Sequence, residues 1–181
     1  MDEKQLVTAC RNGDRKAQKE FYDLYAPKMY AVCLRYAKDQ STAQDYLQEG
    51  FVRVFTHLDK FRFEGSLEGW VRRIIVNAAL ENLRRTDIFK KSTPVEGLFN
   101  VDSGGVDASE MMQATDLFHL IQKLPLGFRT VFNLYAIEGF THQEIGTMLG
   151  ISEGTSKSQY SRARHWLQQR LPQRKKEDDN G

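Results

Sequence analysis

Residues 141–171 have the sequence THQEIGTMLGISEGTSKSQYSRARHWLQQRL, which predicts two short helices joined by a tight turn. Gly150 can adopt the positive φ that ends the first helix. Ser152 can accept hydrogen bonds from the free amides at the start of the second helix. Gly146 leaves room for the two helices to cross closely. Together these features predict a helix-turn-helix motif.

The second helix of this motif has two different sides. Its apolar side is spaced four, three, four and four residues apart and is expected to be buried, with Ser156, Tyr160, Ala163, Leu167 and Leu171 as its members. The opposite side carries short hydrogen-bonding groups and cations, which are the side chains that contact base edges and phosphates in a major groove. Its members are Gly154, Lys157, Ser158, Ser161, Arg162, Arg164 and His165.

Most of the remaining chain is also periodic, with apolar residues recurring every three or four positions and no alternation typical of strands. The exception is the stretch 86–113, which loses this period, collects proline and glycine and predicts a linker. We therefore predict an all-α protein with two small helical domains, at 1–85 and 114–171, and a disordered tail at 172–181. Helices are expected at 3–11, 14–37 with a bend at Pro27, 41–58, 66–85, 114–124, 127–138, 141–149 and 153–171.

The charge of the chain is sorted along its length. The net charge over 181 residues is only +2, but segments 60–90 and 153–181 each carry seven bases and four acids. Between them, segment 91–113 carries one base and four acids. Two basic patches therefore flank an acidic segment, and each patch can attract a phosphate backbone. An ordinary solvated surface accounts equally well for such a patch taken alone.

Several classes of protein are not supported by the sequence. No apolar run approaches the roughly 20 residues needed to cross a bilayer, and the N-terminus lacks a signal-peptide core, so a cytoplasmic location is expected. The four histidines have no metal-ligand or triad spacing, and there is no P-loop, so neither enzymatic activity nor a cofactor is expected. Cys10 and Cys33 lack ligand spacing and are expected to be reduced structural residues.

Together with residues 120–145, LIQKLPLGFRTVFNLYAIEGFTHQEI, the motif resembles region four of sigma factors of the extracytoplasmic-function type. The matching motifs are Leu124-Pro125, Arg129, Glu138-Gly139-Phe140-Thr141, Glu144-Ile145, Gly154-Thr155, Lys157-Ser158 and Arg162-Ala163-Arg164. The resemblance implies that the second helix binds the promoter −35 element. The implied contacts are Thr155, Lys157, Ser158, Ser161, Arg162, Arg164 and His165.

Two positions of this helix depart from the family pattern. Ser156 stands where an apolar residue is usual, and Gln159-Tyr160 replaces a commoner Arg-Leu pair. A buried Ser156 needs a hydrogen-bond partner, such as a carbonyl one turn back. The sequence preference of relatives is therefore not transferable in detail.

The chain from about Leu6 to Arg85 resembles region two of the same family, and its best-known signature is STAQDYLQEGFVRVF at 41–55. Its apolar stripe is expected to face the core, leaving Asp45, Gln48, Glu49 and Arg53 exposed. The resemblance implies that this helix binds the clamp coiled coil of core RNA polymerase. The implied contacts are Asp45, Tyr46, Gln48, Glu49 and Arg53. Gly50 departs from the pattern, and glycine within a helix costs roughly 1 kcal/mol relative to alanine.

Residues 61–85, FRFEGSLEGWVRRIIVNAALENLRR, combine aromatic side chains, a short flexible turn and a basic helix. Such a combination of stacking surfaces and cations suits an unpaired base. Trp70, with Ile74 and Ala78 on its helical face, is better explained as a core residue. The resemblance implies that this segment opens and recognises the −10 element. The implied contacts are Arg62, Phe63, Glu64, Gly65, Ser66, Arg73 and Asn77.

The predicted function is therefore that of a sigma factor, with core RNA polymerase and promoter DNA as partners. The resemblance also implies an anti-sigma factor, membrane-bound in many relatives. The main alternative is a stand-alone helix-turn-helix regulator, which does not require the 41–55 helix or the 61–66 loop. A response regulator requires a βα receiver domain, and a helical adaptor does not require two basic patches. The acidic linker is either a spacer or a segment directed toward the polymerase active channel, and the sequence favours neither.

Overall fold

The computed structural model describes residues 1–86, 89 and 114–171. Within these ranges every regular element is a helix, and the chain divides into two compact units after Phe89. The predicted all-α fold is confirmed. Apart from residues 86 and 89, the predicted linker and the tail lie outside the described residues.

The N-terminal unit, up to Phe89, contains four helices and one 3-10 turn. These are α1 (Glu3–Arg11), α2 (Arg15–Tyr36), α3 (Gln40–His57), the 3-10 turn (Leu58–Lys60) and α4 (Leu67–Arg85). Each helix begins where a short polar side chain accepts hydrogen bonds from its first free amides. Asp2, Asp14 and Asp39 cap the first three helices, and Ser66 caps α4 as predicted.

The core of this unit lies between α2, α3 and α4, with α1 packed against α2. A Cβ at Gly50 would overlap Cδ1 of the fully buried Ile75, so glycine lets α3 and α4 approach closely. This close packing explains the departure at Gly50. Cys10 and Cys33 are buried and form no disulfide, as expected. Burial raises the pKa of the Cys33 thiol to about 12, so it stays protonated.

The C-terminal unit is formed by the remaining elements. They are α5 (Ala114–Gln122), α6 (Leu126–Phe132), a π-helical segment (Asn133–Ile137), α7 (His142–Leu149) and α8 (Glu153–Gln168). The single helix predicted at 127–138 is thus α-helical in its first half and π-helical in its second. Helix α8 ends at Gln168, three residues before the predicted end.

Helix α8 packs against α6 and α7, and its inner side joins α5 in a hydrophobic cluster. The members of the cluster are Leu120, Ile121, Leu124, Ala163, Trp166 and Leu167. Arg129 of α6 is buried and donates to the backbone carbonyl of Gln122 at 3.1 Å, tying α6 to the end of α5. The family motif at Arg129 is therefore structural in this unit. Among the described residues, no helix is both long and apolar enough to cross a membrane.

Candidate functional site

Helices α7 and α8 form the predicted helix-turn-helix. Gly150 ends α7 in the left-handed conformation, with φ of 70°, and the Ser152 hydroxyl accepts from the Thr155 amide at 3.0 Å. A Cβ at Gly146 would lie 2.8 Å from the carbonyl oxygen of Ile151, so glycine is needed for the close approach of the turn. All three predicted roles are confirmed.

The start of α7 is fixed by a capping box that was not predicted from the sequence. The Thr141 amide donates to the Glu144 carboxylate at 2.8 Å, and the Thr141 hydroxyl accepts from the Glu144 amide at 3.2 Å. A Thr-x-x-Glu spacing before an apolar run is a recognisable signal for this motif. The box sets where α7 begins, and thereby where the turn and α8 follow.

The buried side of α8 differs in part from the predicted one. Ser156, Ala163 and Leu167 are buried as expected. Gln159 and Trp166 are also buried, although they are not on the predicted apolar side. Tyr160 is only half-buried, because the large Trp166 ring occupies the hydrophobic cluster while Tyr160 lies at its edge against Phe132, with the two ring centroids 5.8 Å apart.

The opposite side of α8 presents a run of polar and cationic side chains to solvent. The exposed members of the predicted −35 set are Lys157, Ser158, Ser161, Arg162, Arg164 and His165. Thr155 is half-buried, and its hydroxyl lies 2.8 Å from that of Ser152, so it belongs to the N-terminal cap. Lys157 pairs with Glu153 one turn earlier, at 2.6 Å, in an exposed contact that a phosphate or a base can displace at little cost.

Ser156 obtains its hydrogen bond from the neighbouring helix rather than from a carbonyl one turn back. Its hydroxyl lies 2.9 Å from Nδ1 of His142, the first residue of α7. The His142 ring stacks on Tyr135, with centroids 4.2 Å apart and planes 9° from parallel, and Tyr160 packs against both rings. The departure at Ser156 is therefore matched by a histidine fourteen residues away, for which the local sequence gives no signal.

The environment of His142 favours its neutral form. Burial lowers the pKa of the imidazole, the nearby Lys157 ammonium lowers it further, and the Glu153 carboxylate opposes both effects. A neutral ring can form one hydrogen bond with the Ser156 hydroxyl, as donor or as acceptor, while it stacks on Tyr135. This cluster joins α7 to α8 beneath the exposed polar side.

Helix α3 exposes fewer of its predicted contacts. Asp45 and Gln48 are exposed as expected. Tyr46 is only 6% exposed and belongs to the core, so little of its side chain is open to a partner. Glu49 and Arg53 are half-buried, which corrects the expectation that both are exposed.

Glu49 and Arg53 bind α4 through a polar network. The Glu49 carboxylate accepts from Nδ2 of Asn82 at 2.7 Å and pairs with Arg53. Arg53 also pairs with Glu81, so the carboxylates of Glu49 on α3 and Glu81 on α4 both bind its guanidinium. The Asn82 hydrogen bond and the Arg53 charge lower the pKa of Glu49. These side chains therefore support the packing of α3 on α4.

A shallow apolar groove runs between α2 and α3 on the side away from this network. Its walls include Tyr22, Ala26, Leu47, Phe51 and Val52. Val52 is 61% exposed and Tyr22 is 40% exposed, although both are large and apolar. Exposed apolar side chains beside polar ones are typical of a protein-binding surface.

The loop before α4 presents its predicted −10 residues to solvent. Arg62, Phe63, Glu64, Gly65 and Ser66 are all exposed. The buried Phe61 anchors the loop, with its ring 5.0 Å from that of Phe63 and 5.4 Å from that of Trp70. Trp70 is half-buried, so its predicted core role holds only in part.

The two helical members of the predicted −10 set, Arg73 and Asn77, are both exposed on α4. They lie one helical turn apart and therefore share a side of the helix. Across residues 1–86 and 114–171, no group of three or more His, Cys, Asp or Glu side chains could hold a metal ion.

Comparison with protein families identifies both units. Residues 21–88 match Sigma-70 region 2, and residues 115–167 match Sigma-70, region 4. The chain belongs to the sigma-70 family. The first match contains α3 and the loop before α4, and the second contains the whole helix-turn-helix. The chain is therefore a sigma factor that directs RNA polymerase to promoters.

Individual sigma factors are similar in sequence to this chain over most of its length. It is 28% identical to the ECF RNA polymerase sigma factor SigW of Bacillus subtilis, covering 93% of this chain and 96% of SigW. It is 30% identical to the ECF RNA polymerase sigma factor SigE of Mycolicibacterium smegmatis, covering 88% of this chain and 64% of SigE. This sigma factor is thus of the same extracytoplasmic-function type.

A solved structure of the sigma factor RpoE in complex with the anti-sigma factor NepR, from Bartonella quintana, is also similar. Its sequence identity to this chain is 21%, its TM-score is 0.48, and the similarity covers 83% of this chain and 94% of that one.

Proposed function

We propose that this sigma factor acts only through binding and catalyses no reaction itself. It has three separate surfaces, for the −35 element, the −10 element and core RNA polymerase. The observation that carries the proposal is the exposed cationic side of α8, opposite a side that packs in the hydrophobic cluster with α5. A helix of this kind enters the major groove with its N-terminal part nearest the bases. The other two surfaces lie on the N-terminal unit.

The −35 surface has two functional parts. Lys157 and Ser158 lie in the N-terminal half of α8 and Ser161 lies at its middle, and all three are proposed to contact base edges. Arg162 and Arg164 lie farther along and are proposed to bind phosphates, which adds affinity without sequence information. Thr155 contributes through the cap that orients the first turn, since its hydroxyl is engaged with Ser152.

The −10 surface is proposed to be the loop 62–66 together with Arg73 and Asn77. Phe63 supplies an exposed ring on which an unpaired base can stack, and Arg62 and Arg73 supply positive charge for the backbone. Because the loop is anchored by the buried Phe61, it can hold this ring near α4 without prior DNA contact.

The polymerase surface is proposed to be the exposed strip of α3 and the groove beside it. Asp45 and Gln48 supply its polar contacts, and Tyr22 and Val52 supply exposed apolar area. Glu49 and Arg53 act indirectly, by fixing α3 on α4. This division replaces the equal roles that the family resemblance implies for the whole helix.

The two units are proposed to be separate domains at 1–85 and 114–171, joined by a linker at 86–113. Limited proteolysis is expected to cut first within about 90–113 and to release two helical fragments. A single resistant fragment spanning that stretch would contradict this division.

Since its target is the chromosome, the factor is proposed to act in the cytoplasm, and an anti-sigma factor is a proposed regulator.

Run-off transcription tests the proposed function directly. Core RNA polymerase with the chain should produce a defined transcript from a matching promoter, whereas core enzyme or chain alone should produce none. The Asp45→Lys/Gln48→Lys double variant should abolish the transcript, and the Lys4→Ala variant, a charge change on α1 far from the proposed surfaces in sequence, should not. Promoter-specific transcription that does not depend on added chain would contradict the proposal.

A further inference from the structure

Arg11, the last residue of α1, holds the backbone that leads into the −10 loop. Its Nε donates to the carbonyl oxygen of Leu58 at 3.0 Å, and its Nη2 donates to the carbonyl oxygen of Phe61. The Leu58 carbonyl lies at the start of the 3-10 turn, and the Phe61 carbonyl lies just after the turn, where the loop begins. The planar guanidinium can bind both acceptors at once, which a lysine ammonium does not reproduce.

The same guanidinium contacts the ring that the loop exposes. Its central carbon lies 5.3 Å from the centroid of the Phe63 ring, within the range of a cation–π interaction. The Phe63 ring also packs against the Phe61 ring, with the two centroids 5.0 Å apart. Phe63 remains 37% exposed between these two contacts, so part of its ring surface is open to a base.

Phe63 is held in a conformation that phenylalanine rarely adopts. Its φ is 58°, and among the described residues it is the only non-glycine with positive φ. The left-handed region is unfavourable for an ordinary residue, so it persists only where surrounding contacts enforce it. Arg11 supplies two such contacts, one with the Phe61 carbonyl just before the strained residue and one with the Phe63 ring itself.

We propose that Arg11 is a positioning residue for −10 recognition, which acts by holding Phe63 ready to stack on an unpaired base. The proposal rests on the −10 assignment of the 62–66 loop made above. A ring held in place before DNA arrives avoids the entropy of ordering the loop during promoter opening. The effect of Arg11 therefore passes through Phe63, and not through a phosphate contact of its own.

The test uses holoenzyme assembled from core RNA polymerase and full-length chain. The readouts are the rate of open-complex formation on duplex promoter and the affinity for a promoter with a pre-opened −10 region. Arg11→Gln and Phe63→Ala should each reduce both by about tenfold, within the range for loss of one base–aromatic stack. Arg11→Lys should resemble Arg11→Gln despite keeping the charge. Lys4→Ala is the matched control on α1 and should match the wild type.

The Arg11→Gln/Phe63→Ala double variant separates positioning from direct contact. If Arg11 acts through Phe63, the double variant should be no weaker than Phe63→Ala alone. Additive losses, or wild-type behaviour of Arg11→Lys, would overturn the positioning role while leaving the loop assignment intact. Wild-type behaviour of Phe63→Ala would overturn both. A cooperative thermal transition and wild-type binding to core polymerase show that Arg11→Lys is folded.

Discussion

Helices α3 and α8 have the same pattern in the sequence, an apolar stripe beside a polar one, but they use their polar residues differently. On α8, the predicted DNA-contacting cations extend into solvent, and Lys157 pairs with Glu153 of the same helix. On α3, Glu49 and Arg53 are tied to Asn82 and Glu81 of α4. The exposed members of the −35 set on α8 are therefore accessible to a partner, while Glu49 and Arg53 on α3 support the fold.

The difference follows from what surrounds each helix. Helix α3 packs against α2 on one side and α4 on the other, which leaves a narrow strip exposed along Asp45, Gln48 and Val52. Polar groups at the border of that strip must find partners when they are partly desolvated. The exposed polar residues of α8 lie on the side opposite its packed one and remain hydrated. A mutation on α3 can therefore abolish polymerase binding either by removing a contact or by destabilising the fold.

The largest expected effect separates these two kinds of residue on α3. The Asp45→Lys/Gln48→Lys double variant should abolish co-purification with core polymerase and leave the melting temperature unchanged, because both side chains are exposed. Glu49→Lys should lower the free energy of unfolding by about 1–2 kcal/mol, since Asn82 loses its acceptor and a second cation is placed beside Arg53. Thermal melting and a pull-down on each variant measure both quantities. Equal melting temperatures for the wild type and Glu49→Lys would remove the distinction.

The next effect concerns base recognition by α8. Lys157→Ala should cost roughly 1–3 kcal/mol in holoenzyme binding to the preferred promoter, and much less on promoters changed at the contacted base pair. Its melting temperature should equal that of the wild type, in contrast to Glu49→Lys. Binding to a panel of single-base promoter variants measures the discrimination. A uniform loss across the panel would make Lys157 a phosphate contact.

A smaller effect is expected farther along α8. Arg162→Ala and Arg164→Ala should each weaken all promoters alike, because a phosphate contact carries no sequence information. Each should also reduce the slope of binding against salt concentration by about one. Titrations at two or more salt concentrations check this, with Lys157→Ala as the comparison variant. A promoter-dependent loss at either arginine would contradict the assignment.

The smallest effect tests the joint between α7 and α8. Folding lowers the pKa of His142, so the unfolded chain takes up a proton at a higher pH than the folded chain. The stability contribution is complete above the unfolded value of about 6.5 and declines as pH falls through the lower folded value. His142→Asn keeps a hydrogen-bonding atom near Nδ1 without titrating.

The wild type should therefore lose stability relative to His142→Asn between pH 7.5 and 5. The difference should be less than about 1 kcal/mol because the ring is only partly buried. Thermal melting of both full-length proteins across this range measures it. A constant difference at every pH would show that the titration of His142 does not affect stability.

The sequence predicts most of the helices because caps and apolar periodicity are local signals. Ser66, Gly150 and Ser152 all have their predicted roles at helix ends. The prediction fails where a side chain finds its partner on another helix. Glu49, which binds Asn82, and Ser156, which binds His142, are such cases, and the Arg11 contact with the loop spans about fifty residues of sequence. Periodicity indicates the direction of a side chain, but not the surface it meets.

The central claim, that two DNA-binding surfaces act together only through the polymerase, is tested most directly by footprinting on a promoter. With core polymerase and the chain, the −35 and −10 elements should both be protected, and bases in the −10 region should become reactive to a single-strand probe. The chain alone, at the same concentration, should give neither result. Full and specific protection by the chain alone would contradict the claim and would favour a stand-alone helix-turn-helix regulator.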